Sequence, residues 1–162
     1  MRRAAVLTSS DTGYTGERED ISGKVICEIL EREGYQIVYQ KILPDDRALL
    51  GAEMARIADE DIADLLLTTG GTGFSKRDVT PEATEDVCER MVPGIPEAMR
   101  ICSMQVTKRG MLSRQAAGIR KGTLIINLPG SPKAVRECLE YIIEPLGHGI
   151  DILRGDSSNC GG

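Results

Sequence analysis

Gly70, Gly71 and Gly73 follow the apolar run Leu65-Leu66-Leu67 and the hydroxyl pair Thr68-Thr69. Glycine lets a backbone approach a ligand closely and turn its N–H groups toward an anion. The hydroxyls of Thr68, Thr69 and Thr72 add donors to such a cradle. Lys76, Arg77 and Asp78 follow at once, so cations and a carboxylate stand beside it. The spacing is not that of a P-loop, since no Gly-Lys-Ser/Thr follows, and the third glycine of a dinucleotide fingerprint is missing. A tight turn without a ligand remains the plainer alternative.

Other polar loops are candidates for the same rim. Asp45 and Asp46 follow an apolar stretch, as Asp78 does. Taken alone, Asp45 reads as a helix cap and Asp78 as a surface ion pair or the start of a helix. Taken together, two carboxylates beside a glycine cradle suit a hard cation such as Mg²⁺ next to phosphates. That points to metal-assisted phosphoryl or nucleotidyl transfer. Ser113-Arg114-Gln115 offers a hydroxyl, a guanidinium fork and an amide, either as an ordinary polar loop or as a phosphate clamp. Asn127-Leu128-Pro129-Gly130-Ser131-Pro132-Lys133 is either a rigid turn whose Ser131 caps the next helix, or a helix N-terminus facing an anion.

What must position these loops is an alternation of strands and helices. Ala4 to Leu7 reads as a buried strand opening into the polar loop Thr8-Ser9-Ser10-Asp11, which runs on through Gly13 and Gly16. A helix is expected over roughly 21–33, with Ile21, Val25, Ile29 and Leu30 on one stripe and Gly34 as its stop. Ile37, Tyr39 and Ile42 mark a second strand, and 47–59 a second helix facing in through Leu50, Met54, Ile57 and Ala58. The continuous apolar run at 65–67 implies a strand covered on both faces. Thr80 is expected to cap a helix with Pro81 at its first position. A further helix is expected around 96–106, with strands at 118–121 and 123–128. An amphipathic helix through Val135, Cys138, Leu139 and Ile142 is expected to break at Pro145 and Gly147 before a last short helix. The expected fold is therefore α/β in three layers, a mostly parallel sheet with helices on both faces. A single domain spans 1–156, with 157–162 as a flexible C-terminal tail.

The chain has 162 residues, enough for one core, and its 41% hydrophobic and 28% charged content argues against disorder. A net charge of -5 with four tyrosines, one phenylalanine and no tryptophan disfavours nucleic acid as a partner. No apolar run approaches the ~20 residues of a membrane span, and none after Arg2-Arg3 makes a secretory signal, so the expected location is the cytoplasm. Five cysteines without a Cys-x-x-Cys pair make neither a disulfide framework nor a zinc knuckle. Cys27, Cys88 and Cys138 read as core residues, and Cys160 falls in the tail. One histidine, His148, cannot supply a multi-histidine metal site.

In combination these loops resemble the molybdenum cofactor biosynthesis family. The resemblance is carried by Thr68-Thr69-Gly70-Gly71-Thr72-Gly73, by Arg77-Asp78-Val79-Thr80-Pro81-Glu82-Ala83-Thr84, by Leu112-Ser113-Arg114 and by Asn127 to Lys133. Ser10-Asp11, Asp20-Ile21-Ser22-Gly23 and Leu43-Pro44-Asp45-Asp46 fit it too, so it covers about 4–153 in order. The chain is similar to the molybdopterin adenylyltransferases, including the related plant and gephyrin-type domains. The resemblance implies transfer of AMP from Mg-ATP to molybdopterin with release of pyrophosphate. It implies Asp45 and Asp78 as catalytic and Mg²⁺-holding residues. It implies substrate contacts from Ser10, Asp11, Thr69, Gly70, Gly71, Thr72, Gly73, Ser113, Arg114, Asn127, Pro129, Gly130 and Ser131. A homotrimer, or a hexamer as a dimer of trimers, and hand-over to a molybdate-insertion protein are also implied. The alternative within the same fold is a molybdopterin-binding or scaffold paralogue without turnover. A nucleotide-binding regulator with no pterin dependence is a third reading.

Overall fold

The apolar runs become the centre of one six-stranded sheet. In the computed structural model, which describes residues 1–156, the chain forms β1 (Arg3–Ser9), α1 (Asp11–Tyr14), α2 (Ile21–Arg32), β2 (Gln36–Leu43), α3 (Arg47–Asp59) and β3 (Leu65–Thr69). It continues through α4 (Thr80–Val87), β4 (Arg90–Met91), α5 (Gly94–Val106), a 3₁₀ turn (Lys108–Leu112), β5 (Ala117–Arg120), β6 (Thr123–Leu128) and α6 (Pro132–Arg154). The tail at 157–162 and Cys160 lie outside the described residues.

The sheet order is β2-β1-β3-β6-β5-β4. β2, β1, β3 and β6 run parallel, while β5 is antiparallel to β6 and β4 to β5. Side chains alternate across a strand. Val6, Leu65, Leu67, Leu124 and Ile126 therefore pack on one face with α2, α5 and α6. Leu7, Leu66 and Ile125 pack on the other with Leu50, Met54 and Ile57 of α3 and Ala83 of α4. This is a three-layer α/β fold. Right-handed crossovers explain the layers: β1 to β2 and β2 to β3 step in opposite directions, so their helices land on opposite faces.

The same reversal fixes where a ligand crevice opens. β1 hands the chain toward β2 while β3 hands it toward β6, so their loops part at the carboxyl edge. The turns after β1, β2, β3 and β6 all emerge there.

Several expectations need correction. The last helix does not break: α6 runs unbroken for 23 residues with Pro145 inside it. Pro145 and Tyr141 are both exposed. The carbonyl that loses its partner thus faces water, while Ile142, Ile143, Leu146 and Ile150 hold the other face in the core. Ile21 is exposed, and α2 packs through Ile26, Ile29 and Leu30. Thr80 does not cap α4: Val79 holds that position, and the Thr80 side chain is buried beneath Gly71. The stretch after Ser10 forms one helical turn, because the Ser10 hydroxyl accepts the Gly13 N–H at 3.0 Å.

Candidate functional site

Two turns meet at the crevice because their residues leave no room for anything larger. Gly70 and Gly71 have φ of +89° and +70°. A Cβ on Gly70 would collide with the Ser9 carbonyl, and one on Gly71 with the Thr80 hydroxyl. The β1 turn and the β3 turn are thereby pressed together. The Thr69 hydroxyl donates to the Pro129 carbonyl at 2.6 Å, and the Ser22 hydroxyl to the Gly130 carbonyl at 2.7 Å. Those bonds bind the β6 turn to the β3 turn and to the start of α2.

The glycine turn is held by its carbonyls. Gly71 C=O accepts the Thr80 N–H (3.1 Å), Thr72 C=O the Arg114 N–H (2.9 Å) and Gly73 C=O the Arg114 Nε (2.7 Å). In a planar trans peptide the N–H points opposite to the C=O. The amides of Gly73 and Phe74 therefore point away from Arg114, and that of Thr72 away from the Thr80 N–H.

Two clefts flank these turns. The first, about 380 Å³, is lined by Thr8, Ser9, Ser10, Gly13, Arg18, Glu19, Asp20, Ile21, Ser22, Thr69, Gly70, Gly130, Ser131 and Pro132. The second, about 540 Å³, is lined by Gly71, Thr72, Gly73, Phe74, Asp78, Arg109, Leu112, Ser113, Pro129, Gly130 and Ser131. Gly130 and Ser131 form the wall they share. The N-terminus of α2 opens on the first cleft, and that of α6, capped by the Ser131 hydroxyl on the Ala134 N–H at 3.2 Å, lies between them. Both ends favour negative charge.

Of the expected contact residues, Ser10, Thr69 and Gly70 border the first cleft. Gly71, Thr72, Gly73, Asp78, Ser113 and Pro129 border the second, and Gly130 and Ser131 border both. The Ser113 hydroxyl is buried with no hydrogen-bond partner among the described residues. Asn127 borders neither. Its side chain is fully buried, donating to Thr68 Oγ1 (3.0 Å) and Thr84 Oγ1 (2.8 Å) and accepting the Ala116 N–H (3.0 Å). Arg114 borders neither as well. Its guanidinium reaches the carbonyls of Gly73 (2.7 Å) and Asp78 (2.8 Å) and both Glu82 oxygens (2.5 and 3.1 Å). These two side chains hold the walls.

Asp11 and Asp45 also line neither cleft: they stand behind Ser9 and Ser10 of the first, whereas Asp78 lines the second. Asp45 accepts the Ser9 hydroxyl at 2.6 Å and the Asp11 N–H at 3.2 Å. Asp11 accepts the Asp45 N–H at 3.0 Å and is gripped by Arg77 at 2.8 and 3.0 Å. Arg77 holds the Asp11 carboxyl below the usual carboxylate range. Asp78 follows Arg77 and accepts the Ser75 N–H at 2.9 Å. Asp46, not Asp45, caps α3 by accepting the Leu49 N–H at 2.9 Å. That leaves Asp45 without the structural task its position in the sequence suggested.

Among the described residues no group of three or more His, Cys, Asp or Glu could hold a metal unaided. The donor chemistry of Asp45 and Asp78, though not a shared site, suits a magnesium ion brought in on a phosphate. Their donors are oxygens, and magnesium usually takes one or two carboxylates and completes its shell with phosphate and water. Burial pushes the Cys88 thiol up to about 11, so it is not a nucleophile at neutral pH.

Sequence reasoning missed Arg18 in the first cleft and Arg109 in the second, and it quoted Ser9 and Ser22 within motifs without assigning them contacts. Ser22 and Asp20 stand at a helix start, and Asp20 caps α2 on the Gly23 N–H (2.9 Å) while accepting the Thr8 hydroxyl (2.7 Å). The signal for that end was Asp20 three residues before Gly23.

Known proteins share this architecture. Residues 5–148 match the family described as "Probable molybdopterin binding domain". A molybdopterin adenylyltransferase of Helicobacter pylori is 45% identical over 153 residues, which is 93% of this chain and 87% of that protein. The solved structure of the molybdopterin biosynthesis enzyme MoaB from Thermus thermophilus superposes with a TM-score of 0.90 at 41% identity, covering 96% of this chain and 98% of that one. The molybdopterin biosynthesis Mog protein from Mycobacterium ulcerans does so with a TM-score of 0.88 at 32% identity, covering 94% and 99%. With the match running through every turn of the site, the chain belongs to the molybdopterin-binding domain family of molybdenum cofactor biosynthesis.

Proposed function

We propose that this protein is a molybdopterin adenylyltransferase, transferring AMP from Mg-ATP to molybdopterin and releasing pyrophosphate. The observation that carries this is the pair of clefts sharing the Gly130–Ser131 wall. Two substrates bound one in each cleft meet at that wall, and the chemistry becomes effectively unimolecular. The names of the relatives support the same reading.

The terminal phosphate of molybdopterin attacks the α-phosphorus of ATP, forming one P–O bond as the bond to pyrophosphate breaks. The outward amides of Thr72, Gly73 and Phe74 and the two helix N-termini stabilise the charge on the transferred group. Ser9 holds the Asp45 carboxylate in place through the 2.6 Å bond. Asp45 and Asp78 would hold magnesium, which when bound neutralises charge on the triphosphate. No covalent enzyme intermediate is needed.

Our reading extends to a homo-oligomer, trimer or hexamer, that passes its product to a molybdate-insertion protein. Exposed apolar side chains on α5 and the 3₁₀ turn, among them Ile101, Met104, Val106 and Met111, support self-association. A cytoplasmic setting is supported by the free thiols of Cys27, Cys88, Cys102 and Cys138.

The test is pyrophosphate release from Mg-ATP with and without molybdopterin. Release that depends on the pterin is expected; binding of molybdopterin without release would replace the enzyme by a scaffold. Asp78→Asn keeps an acceptor for the Ser75 N–H and removes the charge. It is expected to lower turnover by about 100-fold or more with pterin binding intact. Normal turnover by that variant would remove Asp78 from the mechanism.

A further inference from the structure

Four arginines stand around the two clefts, and they are not held alike. Arg18 lines the first cleft and Arg109 the second. Arg114 is locked into the wall by carbonyls and a carboxylate on every nitrogen of its fork. Arg77 differs from it. Its side chain is 63% exposed and grips a single carboxylate, Asp11, which is 42% exposed. Such a surface pair contributes little to stability and exchanges readily.

The position of that pair gives it a use. Asp11 and Asp45 exchange backbone N–H to carboxylate bonds at 3.0 and 3.2 Å, so the acid that Arg77 grips stands directly beside Asp45, whose charge also reaches Arg77 through space. Arg77 itself precedes Asp78, which borders the second cleft, while Asp11 follows Ser10, which borders the first. The pair therefore ties the lip of one cleft to the lip of the other. A guanidinium fork that fits a carboxylate in two bonds fits phosphate oxygens in the same way.

We propose that Arg77 is a polyphosphate-binding residue that exchanges Asp11 for phosphate oxygens when the nucleotide enters. In the free protein it is the counter-ion of Asp11. With a triphosphate present it moves to the phosphates, and Asp11 is released from it. This rests on the adenylyltransferase reading, and assigns to the acidic rim an arginine that is not part of either cleft wall.

Equilibrium calorimetry without pterin tests it, using ATP in the presence of a metal chelator and AMP as a control. Arg77→Gln should weaken ATP by about 10-fold while changing AMP by less than about 3-fold, since a lost bidentate phosphate contact falls on the distal phosphates. Asp11→Asn removes the competing charge and should tighten metal-free ATP by roughly 3-fold or more. Opposite signs in the two variants are the diagnostic. If the pair only braced the loops, both variants would weaken ATP and AMP together, and the proposal would fall. Unchanged ATP binding by Arg77→Gln would overturn it as well. A wild-type protein that binds no Mg-ATP would instead overturn the adenylyltransferase reading, and this inference with it.

Discussion

Asn127 shows how a polar side chain can serve a ligand site without touching the ligand. Its amide joins the end of β3 through Thr68, α4 through Thr84 and the segment before β5 through Ala116. It is fully buried, and it supplies the acceptor for the Ala116 N–H, while the Thr84 hydroxyl also donates to the Thr80 carbonyl at 2.9 Å. Asn127→Leu keeps a similar volume and leaves the Ala116 N–H and the threonine hydroxyls without this partner. The expected loss is about 2–3 kcal/mol, from buried polar groups left unsatisfied. Ser131→Ala, which removes a helix cap at an exposed position, should cost about 1 kcal/mol. Urea midpoints of the two variants check this, and equal midpoints would contradict the interior role of Asn127. Residue type and position mark Asn127 and Arg114 as polar groups at a strand-end loop. What neither discloses is that the acceptors of their side-chain N–H groups lie 32 to 59 residues away and claim those donors first. Asp45 and Asp46 show the same limit: their order alone does not say which caps α3.

At the scale of elements, periodic stretches with clean ends were legible and interrupted ones were not. α3 spans Arg47–Asp59 and buries Leu50, Met54, Ile57 and Ala58, as its spacing implies. The glycine stop after α2 and the Ser131-Pro132 start of α6 are likewise where local chemistry puts them. α6 defeats the local rule because tertiary burial outweighs it. A proline inside a helix costs about 3 kcal/mol relative to alanine. Burying even two large aliphatic side chains offsets that, at about 1.5–3 kcal/mol each, and α6 buries Ile142, Ile143, Leu146 and Ile150. Pro145→Ala should therefore stabilise the protein. The gain is about 2 kcal/mol once the stiffer unfolded chain of the proline form is subtracted. A rise in urea midpoint with an unchanged slope is the expected result; a fall would mean the exposed carbonyl of Tyr141 finds a partner that proline protects.

The whole molecule keeps the charges that hold the fold apart from the charges that meet a ligand. The ligand rim lies at the carboxyl edge of the parallel strands. At the opposite edge, Arg3 at the start of β1 meets Asp61 and Asp64 just before β3, and Arg154 at the end of α6 joins them. Arg2 pairs with Asp151 beside them. Asp61 is held down to about 2, first by Arg154 and then by Arg3. Burial pushes Asp64 up, but the hydrogen bonds from the Arg3 side chain and N–H outweigh it and the net shift is downward. A carboxyl with a lowered pKa in the folded state favours folding where it is ionised. The contribution is complete above the unfolded value of about 3.9 and disappears as the pH falls through the folded value. Stability should therefore be flat from neutral pH to about 5 and fall steeply toward about 2, in the window set by these shifts. Asp61→Asn isolates the effect: less stable than wild type at pH 7, and converging on it near pH 2. Urea is the denaturant to use, since guanidinium salt screens these pairs. Parallel pH curves for the two proteins would show that the network is ornamental to folding. Convergence, with ATP binding at pH 7 unaltered in the variant, would establish that the two ends of the sheet carry separate tasks.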